Sequence, residues 1–199
     1  MTLDAKTARL ARLCAHLVLG DWDGLAAERR QAPDGEPDRE WREAVLQGHL
    51  FAGFPRAVQA SVELDKAGGL GTPEPDEIEG PAPDPARGRA LFDTIYAQRA
   101  DDVRAVLENA HPDFATWVEE HAYARVLARP GLSPARRELL AVAMLAATGQ
   151  DRQLASHARG AVRCGADASE VMDVLEAIAD LMDPSDVERA RAVIAKFAG

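Results

Sequence analysis

Aromatic side chains make up only 5% of this 199-residue chain, so aliphatic side chains must fill most of its core. Cysteine is nearly absent: Cys14 and Cys164 stand in different segments, at no spacing that suits a metal site, a redox pair or a disulfide framework. Each reads as a small buried hydrophobe. No hydrophobic run is long enough to span a membrane, and the opening MTLDAKTARLARL has no uninterrupted apolar stretch of the signal-peptide kind, so a cytoplasmic location without a membrane partner is expected. Positive charge is in deficit, with 23 basic against 33 acidic residues and a net charge of -10. Such a surface repels phosphate backbones and anionic headgroups, which argues against a nucleic-acid partner. His16, His111 and His121 lack companions at metal-ligand spacing, and phosphate-binding glycine loops and nucleophile-elbow motifs are missing. No metal site is expected.

What the chain has in abundance is Ala, Leu, Arg and Glu, residues that lose little freedom in a helix. An all-α helical bundle follows. Helical spacing of apolar residues runs from about Leu3 to Leu19, and Gly20-Asp21 separates this helix from a second ending near Ala32. DREWREAVLQGHLFAG forms a third, and Gly53 and Pro55 end it and begin a fourth that fades at Lys66. KAGGLGTPEPDEIEGPAPDPARG has almost nothing to bury and reads as an exposed connector. Beyond it, RGRALFDTIYAQ, DDVRAVLENA and FATWVEEHAYARVLAR are helical. Ser133 caps the next helix, with Pro134 in its first turn and Gly149 at its end. Asp151 to Cys164, Ala168 to Met182 and Pro184 to Phe197 complete about eleven helices.

An internal repeat underlies this order. An ungapped shift of 129 positions pairs Leu10 with Leu139, Gly20 with Gly149, Leu25 with Leu154, Val45 with Val174 and Pro55 with Pro184. The helix breaks coincide along with the letters, as duplication of a four-helix unit requires. The division expected is a degenerate first repeat at 1–66, a linker at 67–86 and a second repeat at 87–199. His157 falls opposite Glu28 and Glu138 opposite Arg9, so only the second copy holds an acid–imidazole pair.

Glu138 and His157 lie on successive helices joined by one tight break. A carboxylate and an imidazole brought together in this way can move a proton. Gln153 and Gln150 precede His157 by four and seven residues, which places the three side chains on one face if the helix reaches back that far. The bland alternatives are a hydrogen-bonded core histidine, and a glutamate paired to Arg136 or Arg137. His49, near Gln47 and Phe51, reads as a helix-surface or interface residue, and Trp22, Trp41 and Trp117 as packing residues.

The stretch RPGLSPARRELLAVAMLAATGQDRQLASHARGAVRCG, Arg129 to Gly165, resembles the core of the carboxymuconolactone decarboxylase family, whose other branch is the alkylhydroperoxidase D-like thiol peroxidases. In the peroxidase branch a glutamate precedes a histidine by nineteen residues, and a Cys-x-x-Cys pair precedes it by seven and four. Glu138 and His157 keep that spacing, while Gln150 and Gln153 occupy the cysteine positions. The decarboxylase branch carries serine where Glu138 stands and glutamate where Gln153 stands. In the first half, EAVLQGHLFAGFPRA is similar to the family's Glu-x-x-x-Gln…aromatic-x-Gly-x-Pro segment, so each half retains a different part of the pattern.

The resemblance implies an all-α bundle that assembles into dimers, trimers or hexamers. It also implies decarboxylation of a small γ-carboxylated lactone, or a related proton transfer, without a cofactor. On that reading His157 delivers the proton and Glu138 orients or recharges it. Gln150, Gln153 and Arg137 bind the substrate's oxygens. The alternatives are a non-catalytic helical oligomer of the same fold and, less favoured, a thiol peroxidase built on Cys164.

Overall fold

The computed structural model describes residues 2–78 and 83–198. Residues 79–82 of the expected linker therefore lie outside the described part. Every regular element among the described residues is helical. The helices are α1 (Ala5–Leu19), α2 (Trp22–Arg30), α3 (Asp38–Lys66), α4 (Pro75–Ile78), α5 (Pro85–Tyr96), α6 (Ala100–Ala110) and α7 (Pro112–Trp117). They are followed by α8 (Pro134–Ala147), α9 (Asp151–Arg163), α10 (Ala168–Ile178) and α11 (Pro184–Phe197). No helix is long and apolar enough to cross a membrane among these residues.

Two helices lie at the centre, and their sequences say why. α8 is buried without interruption from Arg137 to Ala146, as a helix apolar on all sides must be. In α1, nine side chains between Thr7 and Val18 are buried. The two pack on each other; α1 also contacts α2, α3 and α10, and α8 contacts α9, α10 and α3. Leu10, Leu13, Leu17, Leu140, Met144 and Leu154 are wholly enclosed between these layers. Each contributes roughly 1.5–3 kcal/mol relative to exposure.

Local signals act where the sequence places them. Asp4 accepts a hydrogen bond from the Thr7 amide and Ser133 accepts one from the Arg136 amide, opening α1 and α8. Gly20 and Gly149, at φ 76° and 67°, follow those two helices in the left-handed conformation. Helix starts recur 129 residues apart, Ala5 with Pro134, Trp22 with Asp151, and the break before Pro55 with the start of α11 at Pro184.

The structure departs from expectation at three places. α3 runs from Asp38 to Lys66 as one kinked helix with Gly53 (φ 78°, ψ 163°) at the kink; its two parts stay nearly continuous because Pro55 falls in the first turn of the second, where no amide hydrogen is needed. The segment Val118–Leu127 continues α7 as a π-helix rather than an α-helix. The connector is tied down through charge: Arg42 Nη2 meets Glu77 Oε1 at 2.6 Å, Arg39 Nη1 meets Asp76 Oδ2 at 2.8 Å, and Arg29 donates to the Gly69 carbonyl at 2.9 Å.

α5 lies against the π-helical stretch, where a Cβ at Gly88 would come within 2.6 Å of the Ala124 Cα. That close crossing builds a second, aromatic cluster from Phe92, Ile95, Tyr96 and Tyr123, set beside the junction of α8 and α9.

Candidate functional site

Glu138 sits in the second turn of α8, and His157 sits midway along α9. The Gly149 turn folds the two helices antiparallel, so that Glu138 Oε2 accepts a hydrogen bond from His157 Nδ1 at 2.9 Å. The glutamate side chain is 1% exposed and the histidine 9%. Burial works against charge on the imidazole, but the charge of Glu138 and its hydrogen bond outweigh it, and the pKa of His157 is raised. With Nδ1 committed to the carboxylate, Nε2 is the nitrogen left for chemistry. The ring of Phe51 from α3 meets the imidazole edge-on at 6.0 Å between centroids.

Gly160, one turn beyond His157, makes room for the carboxylate. A Cβ there would lie 2.5 Å from Glu138 Oε2 and 2.9 Å from Ile95 Cγ2. Sequence reasoning recognised the His157-to-Ala161 motif without assigning this glycine a role. Spacing held the signal, because Gly160 shares a helix face with His157.

On the far side of the pair, Tyr123 donates to Tyr96 through their hydroxyls at 2.9 Å. Burial holds the Tyr123 phenol well above its usual pKa, and Tyr96 is raised for the same first reason, with the negative charge of Glu138 adding to both. Burial together with Glu138 pushes the Cys164 thiol up to about 12, and burial alone pushes Cys14 to about 12. Neither cysteine presents a ready thiolate.

The other expected site residues are placed differently. Gln150 occupies the position before α9 with a non-helical backbone (φ -89°, ψ 63°) and is exposed, and Gln153 in the first turn is also exposed. Neither hydrogen-bonds to His157; the Gln150 amide instead reaches the Thr148 carbonyl at 3.4 Å.

Arg137 is turned into the interior at 1% exposure. Its Nη2 donates to Glu43 Oε2 at 2.7 Å and to the carbonyls of Arg129 and Pro130 at 3.1 and 3.0 Å. Arg129 pairs with the same carboxylate at 2.7 Å, and Gln47 Nε2 donates to the Arg137 carbonyl at 2.7 Å. Glu43 and Gln47 come from the Glu-x-x-x-Gln segment of the first half and Arg129-Pro130 from the second, so the two motifs meet in one buried network. The Arg137 guanidinium makes these bonds from the interior of the protein.

A histidine pair missed in the sequence stands elsewhere, with His49 Nε2 and His121 Nε2 2.7 Å apart and His49 stacked on Phe54 at 4.9 Å. Their separation by seventy-two residues gave no pattern to read. They border a groove of about 390 Å³ with Leu46 and Val58. No cluster of three or more metal-capable side chains exists among the described residues.

Residues 112–196 match the model of the Carboxymuconolactone decarboxylase family. Over 154 residues the chain is 28% identical to "Peroxisomal protein 2" of Schizosaccharomyces pombe, an alignment spanning 75% of this chain and 71% of that protein. The segment matched includes α8 and α9 with Glu138 and His157, so this part of the chain is similar to the carboxymuconolactone decarboxylase family.

Proposed function

We propose that the chain is a cofactor-free acid–base lyase of the carboxymuconolactone decarboxylase-like type, acting on a small carboxylated lactone or related carbonyl compound. The observation that carries this reading is the buried 2.9 Å hydrogen bond between Glu138 and His157, which orients the imidazole and favours its protonated form. In the reaction, the bond from the γ-carbon to the carboxylate breaks and carbon dioxide leaves. The electron pair passes into the unsaturated lactone as a dienolate. His157 Nε2 gives its proton to the carbon, and water later restores it. The lactone carbonyl is the electron sink, so no cofactor enters. In this reading Gln150 and Gln153 serve as substrate-binding residues, and Phe51, edge-on to the imidazole at 6.0 Å, gives the reacting group an apolar neighbour.

Further features support the rest of the reading. The matched helix starts and breaks favour an internal duplication with its acid–base pair in the second copy. Phe54, Val58 and Trp117 are 66%, 63% and 65% exposed, apolar surface that favours a homo-oligomer. The cytoplasm is the proposed location, and the name of the fission-yeast relative supplies the peroxisome as its competitor; cell fractionation separates the two.

A second reading, a non-catalytic helical protein of the same fold, is favoured by the enclosure of the pair. Five surface cavities of about 220–650 Å³ among the described residues are lined by neither Glu138 nor His157. The thiol-peroxidase alternative is weakened by the raised pKa of Cys164. The deciding experiment incubates the full chain with unsaturated γ-carboxylactones in heavy water and follows carbon dioxide release and deuterium incorporation. Turnover lost in a folded His157→Ala variant supports the lyase. Turnover that survives the substitution overturns the role of His157, and no turnover or exchange by the unaltered chain leaves the non-catalytic reading.

A further inference from the structure

On the outer face of α9, away from Glu138, a groove of about 640 Å³ runs between the end of α5 and the end of α11. It is lined by four arginines, Arg99, Arg152, Arg159 and Arg163. Positions 152, 159 and 163 are seven and four residues apart and therefore form a single stripe along the helix. Such a stripe is unexpected on a chain with a net charge of -10.

Its acids do not neutralise it. Asp151, at the groove's edge, is taken by Arg189 at 3.0 Å, and Arg99 has Asp102 at 2.8 Å. Arg152, Arg159 and Arg163 have no carboxylate within ion-pair distance among the described residues. Arg159 lies instead with its guanidinium carbon 4.8 Å over the ring of Phe197, and Arg163 donates to the Ile95 carbonyl at 2.7 Å. Burial and the neighbouring charges of Arg163 and Arg99 lower the pKa of Arg159, consistent with cations crowded together and awaiting an anion.

We propose that this groove is a binding site for a small molecule bearing at least two phosphate groups. Three guanidiniums with no carboxylate partner among the described residues call for about three negative charges, and two phosphates at roughly -1.5 to -2 each supply them in a small volume. Guanidinium forks hold phosphate oxygens in pairs, and Ile95, Val193 and Phe197 give the groove an apolar floor for the rest of the ligand. The site is separate from the imidazole of His157 and stands whether or not that group performs chemistry.

Isothermal titration calorimetry of the full chain with inorganic pyrophosphate at low salt tests it, with citrate as the carboxylate comparison. The expected result is saturable binding of pyrophosphate that weakens as salt rises, with citrate at least about tenfold weaker. Arg152→Gln and Arg159→Gln each reduce affinity by about tenfold, whereas Arg56→Gln and His157→Ala leave it unchanged. Arg152 is exposed and its side chain makes no hydrogen bond among the described residues, so its variant keeps the test decisive if Arg159→Gln fails to fold. No saturable heat with pyrophosphate, or affinity unaltered by Arg152→Gln, overturns the site. Citrate bound as tightly as pyrophosphate overturns its assignment to phosphate.

Discussion

Glu138 Oε2 and His157 Nδ1 meet at 2.9 Å across the α8–α9 turn, and the carboxylate raises the affinity of the imidazole for its proton. By nuclear magnetic resonance, His157 should titrate above the ordinary histidine value of about 6.5. In Glu138→Gln the opposing effect of burial is left alone, and the midpoint should fall below that value. The sign of the stability effect follows. A proton held more tightly in the folded state stabilises it fully below the unfolded pKa and ceases to do so as pH rises through the folded pKa. The stability difference between the unaltered chain and Glu138→Gln should therefore shrink from pH 6 toward higher pH in urea titrations. A His157 midpoint unmoved by Glu138→Gln would refute the coupling.

Gly160 tests the same pair sterically. An added Cβ meets the Glu138 carboxylate at 2.5 Å and Ile95 at 2.9 Å, and both helices are packed too closely to yield freely. Gly160→Ala should destabilise the fold by about 1–3 kcal/mol despite its better helix propensity. It should also shift the His157 titration, because the carboxylate must move. A stable variant with an unchanged titration would show that the contact relaxes without consequence.

Much of this was readable from the chain. The breaks at Gly20 and Gly149 and the cap at Ser133 are local chemistry, so those helix boundaries followed from residue type. The meeting of Glu138 with His157 followed from two successive helices joined by one tight turn. Hidden from the sequence were features set by distant packing. The depth of Arg137 depends on Glu43, ninety-four residues away, and the exposure of Gln150 and Gln153 depends on packing that their spacing to His157 does not encode. The π-helical register of Val118–Leu127 has no signature in its letters.

The Glu43–Arg137 pair should be costly to break from one side. Both side chains are 1% exposed, so Glu43→Ala leaves a buried guanidinium with carbonyls alone and should cost about 3–5 kcal/mol. Replacing both partners, as Glu43→Leu with Arg137→Met, removes the stranded charge together with its partner. Chemical denaturation should show the double variant to be more stable than Glu43→Ala. A double variant no better than the single one would mean that Arg129 needs Glu43 for itself.

Cys164 should behave as a packing residue. Its thiol is pushed up to about 12 by burial and by Glu138, so at pH 8 only about one molecule in ten thousand carries the thiolate, the form that reacts. Aromatic disulfide reagents should label the native chain far more slowly than the urea-unfolded chain, where both cysteines return to ordinary values near 8.5. Cys164→Ser should leave any peroxide consumption unaltered. Rapid labelling of Cys164 in the native chain, with peroxide consumption lost in Cys164→Ser, would instead reveal a reactive thiol beside His157 and return the peroxidase chemistry to consideration.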